Sequence, residues 1–596
     1  MKRRDFLKTA AVFSSLPFVG DLFAGFDPLR PGTLELVPSR AVQLKGTFGI
    51  ASTAGLDRLT KPPFDVPFVL ADVNFNQKRW FTNFSGDISG RFLEIGSSEI
   101  PWSKVLAEVE DEIVKYQKPE GYFGATTNWW GESDLTKDTG EANMMPILWG
   151  NGRLLLGLTA AWKASGKPAT LAAAKKLGDF YVNIVKPRFC DPKRMAEYET
   201  VSPGYASAYV TCVYEGMEGL VQLYRATKEK KYLDCVCQMA DFHEPFDVLP
   251  VRHSHGSLSA HEGLMMIYEE TGDRKYLDRV EKRWNDAVSG GYVNVCGSIL
   301  EKFWVTDDHR DEGCTESDWL RLNLLLWRST GNDKYLDMAE RLLYNGYLAN
   351  QWSTGGFGHR FMGVDKKGAF SYKKYSQESL WCCSFHGPLG YYDFKRYLVV
   401  AKKGGIRLNF ATDFEVPISV NGQAWKIRCR RAMLHTIAYI VNVEGPAGAS
   451  ISLEIRKPNW AREVRVHRND GPLSDANRVD PTQPIPAGTE LVVLYPTELR
   501  FEDRRMRPIP APDTPQRLEE VAILDGPHVV LAAEGDGEKI ADLVIQRVPV
   551  PSKDDPFGRG WEGGKYTCDP KQVTEFIDLH MNDTRGHAFL WNVEVK

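Results

Sequence analysis

"LMMIYEETGDRKYLDRVEKRWNDA", residues 264–287, reads as two helices joined by a turn. Apolar residues recur at helical spacing up to Tyr268, Thr271-Gly272-Asp273 interrupts them, and a second amphipathic run opens on Tyr276-Leu277-Asp278. The pattern returns in "LVQLYRATKEKKYLDCVCQMADF", 220–242, and in "LNLLLWRSTGNDKYLDMAERLLYNG", 322–346. A more diverged copy, "LLLGLTAAWKASGKPATLAAAKKLGDFYV", occupies 154–182. A single helical hairpin cannot hide its apolar face, whereas stacked copies can, either as a solenoid or closed into a toroid. The spacing predicts an (α/α)6 barrel over residues 100–395.

The Tyr-Leu-Asp triplets begin at 232, 276 and 335, so the second interval is fifteen residues longer than the first. The extra length falls in "SGGYVNVCGSILEKFWVTDDHRDEGCTESD", 289–318, rich in Gly, acids, aromatics and Cys. Long connections on a helical scaffold gather at one mouth and carry function. After residue 395 the period changes: "IRLNFATDFEVPISVNG", "AWKIRCRRAMLHTIAYIV" and "TELVVLYP" alternate apolar and polar residues between turn residues. Residues 396–596 are therefore expected to form antiparallel β-sandwich structure, with 25–99 adding strands or an outer layer. The fold class expected is multidomain α + β.

The 596-residue chain is long enough for several cores. With 74 basic and 78 acidic side chains its net charge is -4, which gives no electrostatic reason for a nucleic-acid or anionic-membrane partner. Sixteen Trp and 23 Tyr suit sugar rings as well as cores. The opening "MKRRDFLKTAAVFSSLPFVG" has paired Arg3-Arg4, Phe6-Leu7 and a short apolar run, the order of a twin-arginine export signal over residues 1–24. The expectation is a periplasmic or secreted protein without stable membrane insertion, its oligomeric state open, a dimer included. That route exports folded chains, so a metal could be loaded onto reduced thiols beforehand.

Ten cysteines are too few for a disulfide scaffold of this length. Cys190, Cys212, Cys429 and Cys568 are isolated and read as small buried residues, and Cys235 and Cys237 face different sides of a helix. Cys382-Cys383, in "SLWCCSFHG", is different. A vicinal disulfide needs a strained eight-membered ring, and convergence of both thiolates on one Zn²⁺ explains the pair better. The insertion offers two more ligands in Glu312-Gly313-Cys314, making a Glu312, Cys314, Cys382, Cys383 set. By spacing alone the set does not mark a catalytic site, since closed sulfur-rich zinc sites are most often structural.

Glu-x-Cys, then "DKYLDMAERLLYNG", then Cys-Cys about seventy residues on resembles glycoside hydrolase family 127, the β-L-arabinofuranosidase family. "CGSILEKF", "AHEGLMMIYEETGD", "LEIRKPNWAREVRV" and "VAILDGPHVVLAAEG" add looser matches almost end to end. The resemblance implies zinc on Glu312, Cys314, Cys382 and Cys383, Cys382 as nucleophile, Glu301 as general acid/base, and exo-acting, retaining hydrolysis of a glycoside derived from an oligo- or polysaccharide. It also places His261 among the sugar-binding residues. His386 departs from the Pro-Pro-Asn that commonly follows the paired cysteines, and Arg153 stands where a sugar-contacting histidine is expected. An arginine there suits an acidic or sulfated sugar. Trp129 and Trp130, in "EGYFGATTNWW", offer platforms for a sugar ring. Two rivals stand beside this reading: a polysaccharide lyase or sugar epimerase on the same toroid, and a non-catalytic carbohydrate-binding protein stapled by zinc.

Overall fold

The computed structural model describes residues 35–124, 144–193, 211–244, 253–302, 310–364, 370–372, 377–432, 437–510 and 516–532. It also describes the strands Leu543–Arg547, Tyr566–Cys568, Val573–Glu575 and Ala588–Val595. The expected export signal, Trp129 and Trp130 lie outside the described residues.

The helices are α1 (Gly46–Arg58), α2 (Val66–Asn74), α3 (Asp87–Glu99), α4 (Lys104–Ile113), α5 (Met144–Ser165), α6 (Pro168–Phe180) and α7 (Gly216–Thr227). They continue as α8 (Lys230–His243), α9 (Ser254–Thr271), α10 (Arg274–Ser289), α11 (Gly313–Thr330), α12 (Lys334–Leu342), α13 (Cys382–His386) and α14 (Pro388–Tyr397). Each of α3, α5, α7, α9, α11 and α14 packs on the next, and α14 returns to α3. That closes an inner ring. Helices α6, α8, α10 and α12 pack outside it, each against its hairpin partner. The burial pattern follows: α11 is buried continuously from Gly313 to Trp327. By contrast α10 buries only the stripe Tyr276, Leu277, Val280, Arg283, Trp284 and Ala287, one face of a 3.6-residue period.

The repeated triplet has a structural explanation. Tyr232 donates its hydroxyl to Asp179 of α6 (3.1 Å), Tyr276 to Asp241 of α8 (3.1 Å), and Tyr335 to Glu281 of α10 (2.8 Å). Each outer helix is thereby stapled to the one before it. The turns close on left-handed residues, Gly272 (φ 74°) and Gly331 (φ 69°) in two hairpins and Lys228 (φ 58°) in the third.

Two sheets of five and six strands form the sandwich, and Glu35–Leu36 and Gln43–Leu44 contribute one edge strand to each. The pairing is antiparallel except where Ser450–Ile455 runs parallel to Gly405–Leu408. Among the described residues of the 25–99 segment only these few are strands; α1, α2 and α3 are helical. In α1 the buried face is carried largely by small residues, Ala51, Ser52 and Gly55 beside Phe48, which gives a weak hydrophobic signal in sequence, whereas α3 is buried on nearly every side and so shows no clean stripe. A third, twelve-stranded sheet joins the C-terminal strands, through Ala588–Val595 and Phe370–Tyr372, to Gly358–Val364 and Arg310–Glu312. The barrel's long insertion thus ends in a strand tied to the C-terminal region. No described helix is long and apolar enough to cross a membrane.

Tyr344-Asn345-Gly346 is also structural. Asn345 donates to the Pro527 carbonyl and accepts from the Val529 amide, tying barrel to C-terminal region. A Cβ on Gly346 would lie 2.0 Å from the Ser298 hydroxyl, so only glycine admits the insertion at that point.

Candidate metal centre and active site

Glu312 stands at the N-terminal boundary of α11, Cys314 lies in its first turn, and Cys382 and Cys383 open α13. The four side chains bring their donor atoms within 4.8 Å of one another. Cys382 Sγ and Cys383 Sγ are 3.8 Å apart, and each lies 3.6 Å from Glu312 Oε1. A tetrahedron with Zn–S near 2.3 Å and Zn–O near 2.1 Å has edges of about 3.8 Å between sulfurs and about 3.6 Å between sulfur and oxygen. These distances match the donor set. Burial pushes the Cys314 thiol well above its ordinary pKa. A divalent cation would reverse that, because a coordinating thiol is deprotonated outright. The residues present therefore fit zinc.

Gly313 is what allows the two loops to meet. A Cβ there would fall 2.7 Å from Phe357 Cβ, 3.0 Å from Asn350 Oδ1 and 3.2 Å from Cys383 Cβ. Cys314 and Asp318 share one face of α11, and Cys382 and His386 share one face of α13, each pair one turn apart. The second contact between the helices is accordingly Asp318 with His386. Asp318 also bonds His255 Nδ1, and Arg91 reaches His255 Nε2 at 2.8 Å and Cys314 Sγ at 3.8 Å. His255, Asp318 and His386 are close enough to hold a metal of their own. However, both His255 nitrogens are already bonded, one of them to a cationic guanidinium. Burial lowers the pKa of both His255 and His386 far below the ordinary value, leaving them neutral. This trio is a hydrogen-bonded strut beneath the thiols.

Glu301 lies on the same side as Glu312. Its carboxylate, that of Glu312 and a nitrogen of His253 come within 4.8 Å of one another. Arg310 grips Glu301 with two guanidinium nitrogens, one of them donating at 2.5 Å, and His359 Nε2 is 3.7 Å away. Burial, then the charge of Glu312, pushes the Glu301 carboxyl up to about 7 despite Arg310. Burial would raise Glu312 as well, but its hydrogen bond to His253 and the nearby imidazoles hold it well below the usual range. Two neighbouring carboxyls with divergent pKa values are the pattern of an acid/base beside a permanent anion.

The remaining sequence candidates fall differently. Arg153 is 1% exposed and inside the ring, ion-paired to Glu215 at 2.6 Å and Glu218 at 3.4 Å and bonded to Ser259. Its charge is neutralised by the protein's own acids, which removes the basis for expecting it to recognise an acidic sugar. His261 is buried in α9 and donates Nδ1–H to the Ser257 carbonyl at 2.5 Å. His386 is buried against Asp318, so it supports the thiols and is not presented to a ligand. Four residues at the site escaped sequence reasoning, one of them Asp318, which ends the quoted insertion among several other acids. Arg310 adjoins Asp311-Glu312 and could have been flagged by proximity, whereas Arg91 and His359 come from elements with no motif.

The family model described as "Beta-L-arabinofuranosidase, GH127 catalytic domain" matches residues 98–388. Among solved structures, a β-arabinofuranosidase of family 127 aligns with a TM-score of 0.63 at 17% identity, over 95% of this chain and 98% of its own. A β-L-arabinofuranosidase of that family from Geobacillus stearothermophilus T6 aligns with a TM-score of 0.62 at 15% identity, over 93% of this chain and 100% of its own. A third, titled only glycoside hydrolase, gives 0.63 at 15% identity over 95% and 98%. At these identities the likeness is one of fold. No curated protein matches the chain in sequence.

Proposed function

Through residues 98–388 the chain belongs to glycoside hydrolase family 127, and from that premise we propose that it is an exo-acting, retaining glycosidase with Cys382 as nucleophile and Glu301 as acid/base. The carrying observation is the convergence of Glu312, Cys314, Cys382 and Cys383 within 4.8 Å, three of the edges having tetrahedral length, with the Glu301 carboxyl against the Glu312 end of that set. A bound zinc ion would supply the charge that keeps the thiols deprotonated at neutral pH. Cys382 suits the nucleophile's part because it alone of the three sulfur ligands is partly exposed, while Cys314 and Cys383 are buried.

Cys382 Sγ attacks the anomeric carbon as the bond to the leaving oxygen breaks, and Glu301 gives that oxygen its proton. The leaving group departs as an alcohol. Glu301, now a carboxylate held by Arg310, takes a proton from water; the hydroxide displaces sulfur, and the sugar leaves with its original anomeric configuration. A Glu301 pKa near neutrality lets one group serve both steps. Terminal β-L-arabinofuranosides are the first substrates to test, given the titles of the two matched arabinofuranosidases. The N-terminal signal supports export to the periplasm or beyond.

Mass spectrometry of Glu301→Gln after incubation with 4-nitrophenyl β-L-arabinofuranoside should find one sugar attached to Cys382. Chelation should abolish turnover and added zinc restore it. Turnover that survives Cys382→Ser, or a zinc-loaded protein that turns over no glycoside, overturns the reading in favour of a lyase, an epimerase or a zinc-stapled binding protein.

A further inference from the structure

Trp80, in the connection between α2 and α3, is 74% exposed, and its ring lies 5.9 Å from that of Trp381. Phe81, 38% exposed, places its ring 6.0 Å from Trp381. Its φ of 59° is in the left-handed region that bulky side chains rarely occupy. Trp381 directly precedes Cys382. Its ring is also 6.3 Å from His359, whose Nε2 is 3.7 Å from Glu301. From Phe81 the aromatic line continues through Phe84 (5.2 Å) and Trp149 (6.5 Å) to His253 (5.4 Å), the residue beside Glu312. The thiols and Glu301 are thus bordered by rings. Only at Trp80 and Phe81 are those rings large and exposed.

Burial cannot account for an indole left in water, yet this one leans on the residue next to the proposed nucleophile. We propose that Trp80, Phe81 and Trp381 form the shelf that receives the leaving-group ring of the substrate, a second sugar whose flat C–H face stacks on the indoles. The inference rests on the glycosidase reading and adds the position of the aglycone. His359 touches both the shelf and Glu301, and Glu301 is the group that must protonate the departing oxygen, so the shelf begins on the side where the leaving group exits. The buried cluster of acids and thiols would select the terminal sugar, and the exposed apolar step beside it would tolerate varied neighbours. That division suits an exo-acting enzyme.

The test compares methyl with 4-nitrophenyl glycosides across a panel of pentoses and hexoses, the nitrophenyl ring standing in for the second sugar. Full-length wild type, Trp80→Ala and Trp80→Phe are assayed for KM and kcat, and binding to Cys382→Ser, which lacks the attacking sulfur, with and without Trp80→Ala, is followed by saturation-transfer NMR. For whichever sugar is turned over, the KM preference for the ring-bearing glycoside should fall about fivefold in Trp80→Ala and largely persist in Trp80→Phe. Turnover with a preference indifferent to Trp80 overturns the shelf and leaves the glycosidase reading intact. Trp80-dependent binding without turnover of any glycoside keeps the shelf and overturns the hydrolase; neither binding nor turnover overturns both.

Discussion

Cys382 and Cys314 are both sulfur ligands of one candidate site, but they differ in surroundings. Cys314 is buried and touched by Arg91, whereas Cys382 is partly open to the mouth. Substituting each by serine should separate holding the metal from using it. Cys382→Ser should lose more than about a thousandfold in kcat while binding zinc through three remaining ligands. Cys314→Ser should lose zinc, read by metal content after dialysis. Gly313 offers a sharper geometric test, since its Cβ would meet Phe357 and Cys383 from two sides. Gly313→Ala should separate the loops and weaken zinc affinity at least about tenfold, measured by competition with a chromogenic chelator, even though no ligand is changed.

At the scale of the element, the barrel's order comes from staples between successive outer helices. Tyr276 reaches Asp241 across the α8–α10 contact, and Asp241 itself is half exposed. Tyr276→Phe keeps the buried ring and removes one hydrogen bond whose acceptor can turn to water, so it should cost about 1 kcal/mol, read from urea midpoints. Tyr335→Phe should behave alike, and because the two staples lie on different interfaces their effects should add. The repeat was readable in sequence because period and triplet coincide. Helix α1 was not, because Ala51, Ser52 and Gly55 carry a helical face with little hydrophobic contrast, nor was α3, whose burial on nearly every side leaves no one-sided stripe to read.

Across the whole molecule, barrel and sandwich meet along α12 through charge. Arg456, almost fully buried, pairs with Asp337 and Glu340 at 2.6 and 2.7 Å, and Trp460 donates its indole N–H to Glu340 at 2.7 Å. Arg341 of α12 pairs with Glu502 at 2.5 Å, and Arg407 of the sandwich with Asp333 at 2.6 Å. Arg456→Met would leave two carboxylates without their cation at a closed interface. The expected loss is about 3–5 kcal/mol of stability, seen as a lowered Tm, with zinc content per folded molecule unchanged. Burial has already pushed the Asp337 carboxyl up to about 6. Without Arg456 that carboxyl should rise further, so the variant's deficit should shrink as pH falls toward about 6, since protonation relieves the unpaired charge.

The sequence by itself determined the helical repeat and the change to alternating strands near residue 396, and, whereas Glu301 was reached through the family resemblance, it singled out Glu312, Cys314, Cys382 and Cys383 as a candidate donor set. Each is a local pattern or a chemically distinctive residue, legible without knowing what it touches. Only the tertiary structure decided what charge means inside the ring. Arg153 looks like a ligand-binding arginine until Glu215 and Glu218 are seen beside it, and Arg91 and His359 look ordinary until they are found against Cys314 and Glu301. A side chain's chemistry is written in its residue type, but its role depends on the partners that desolvate, pair or expose it, and those come from distant helices that only folding brings together.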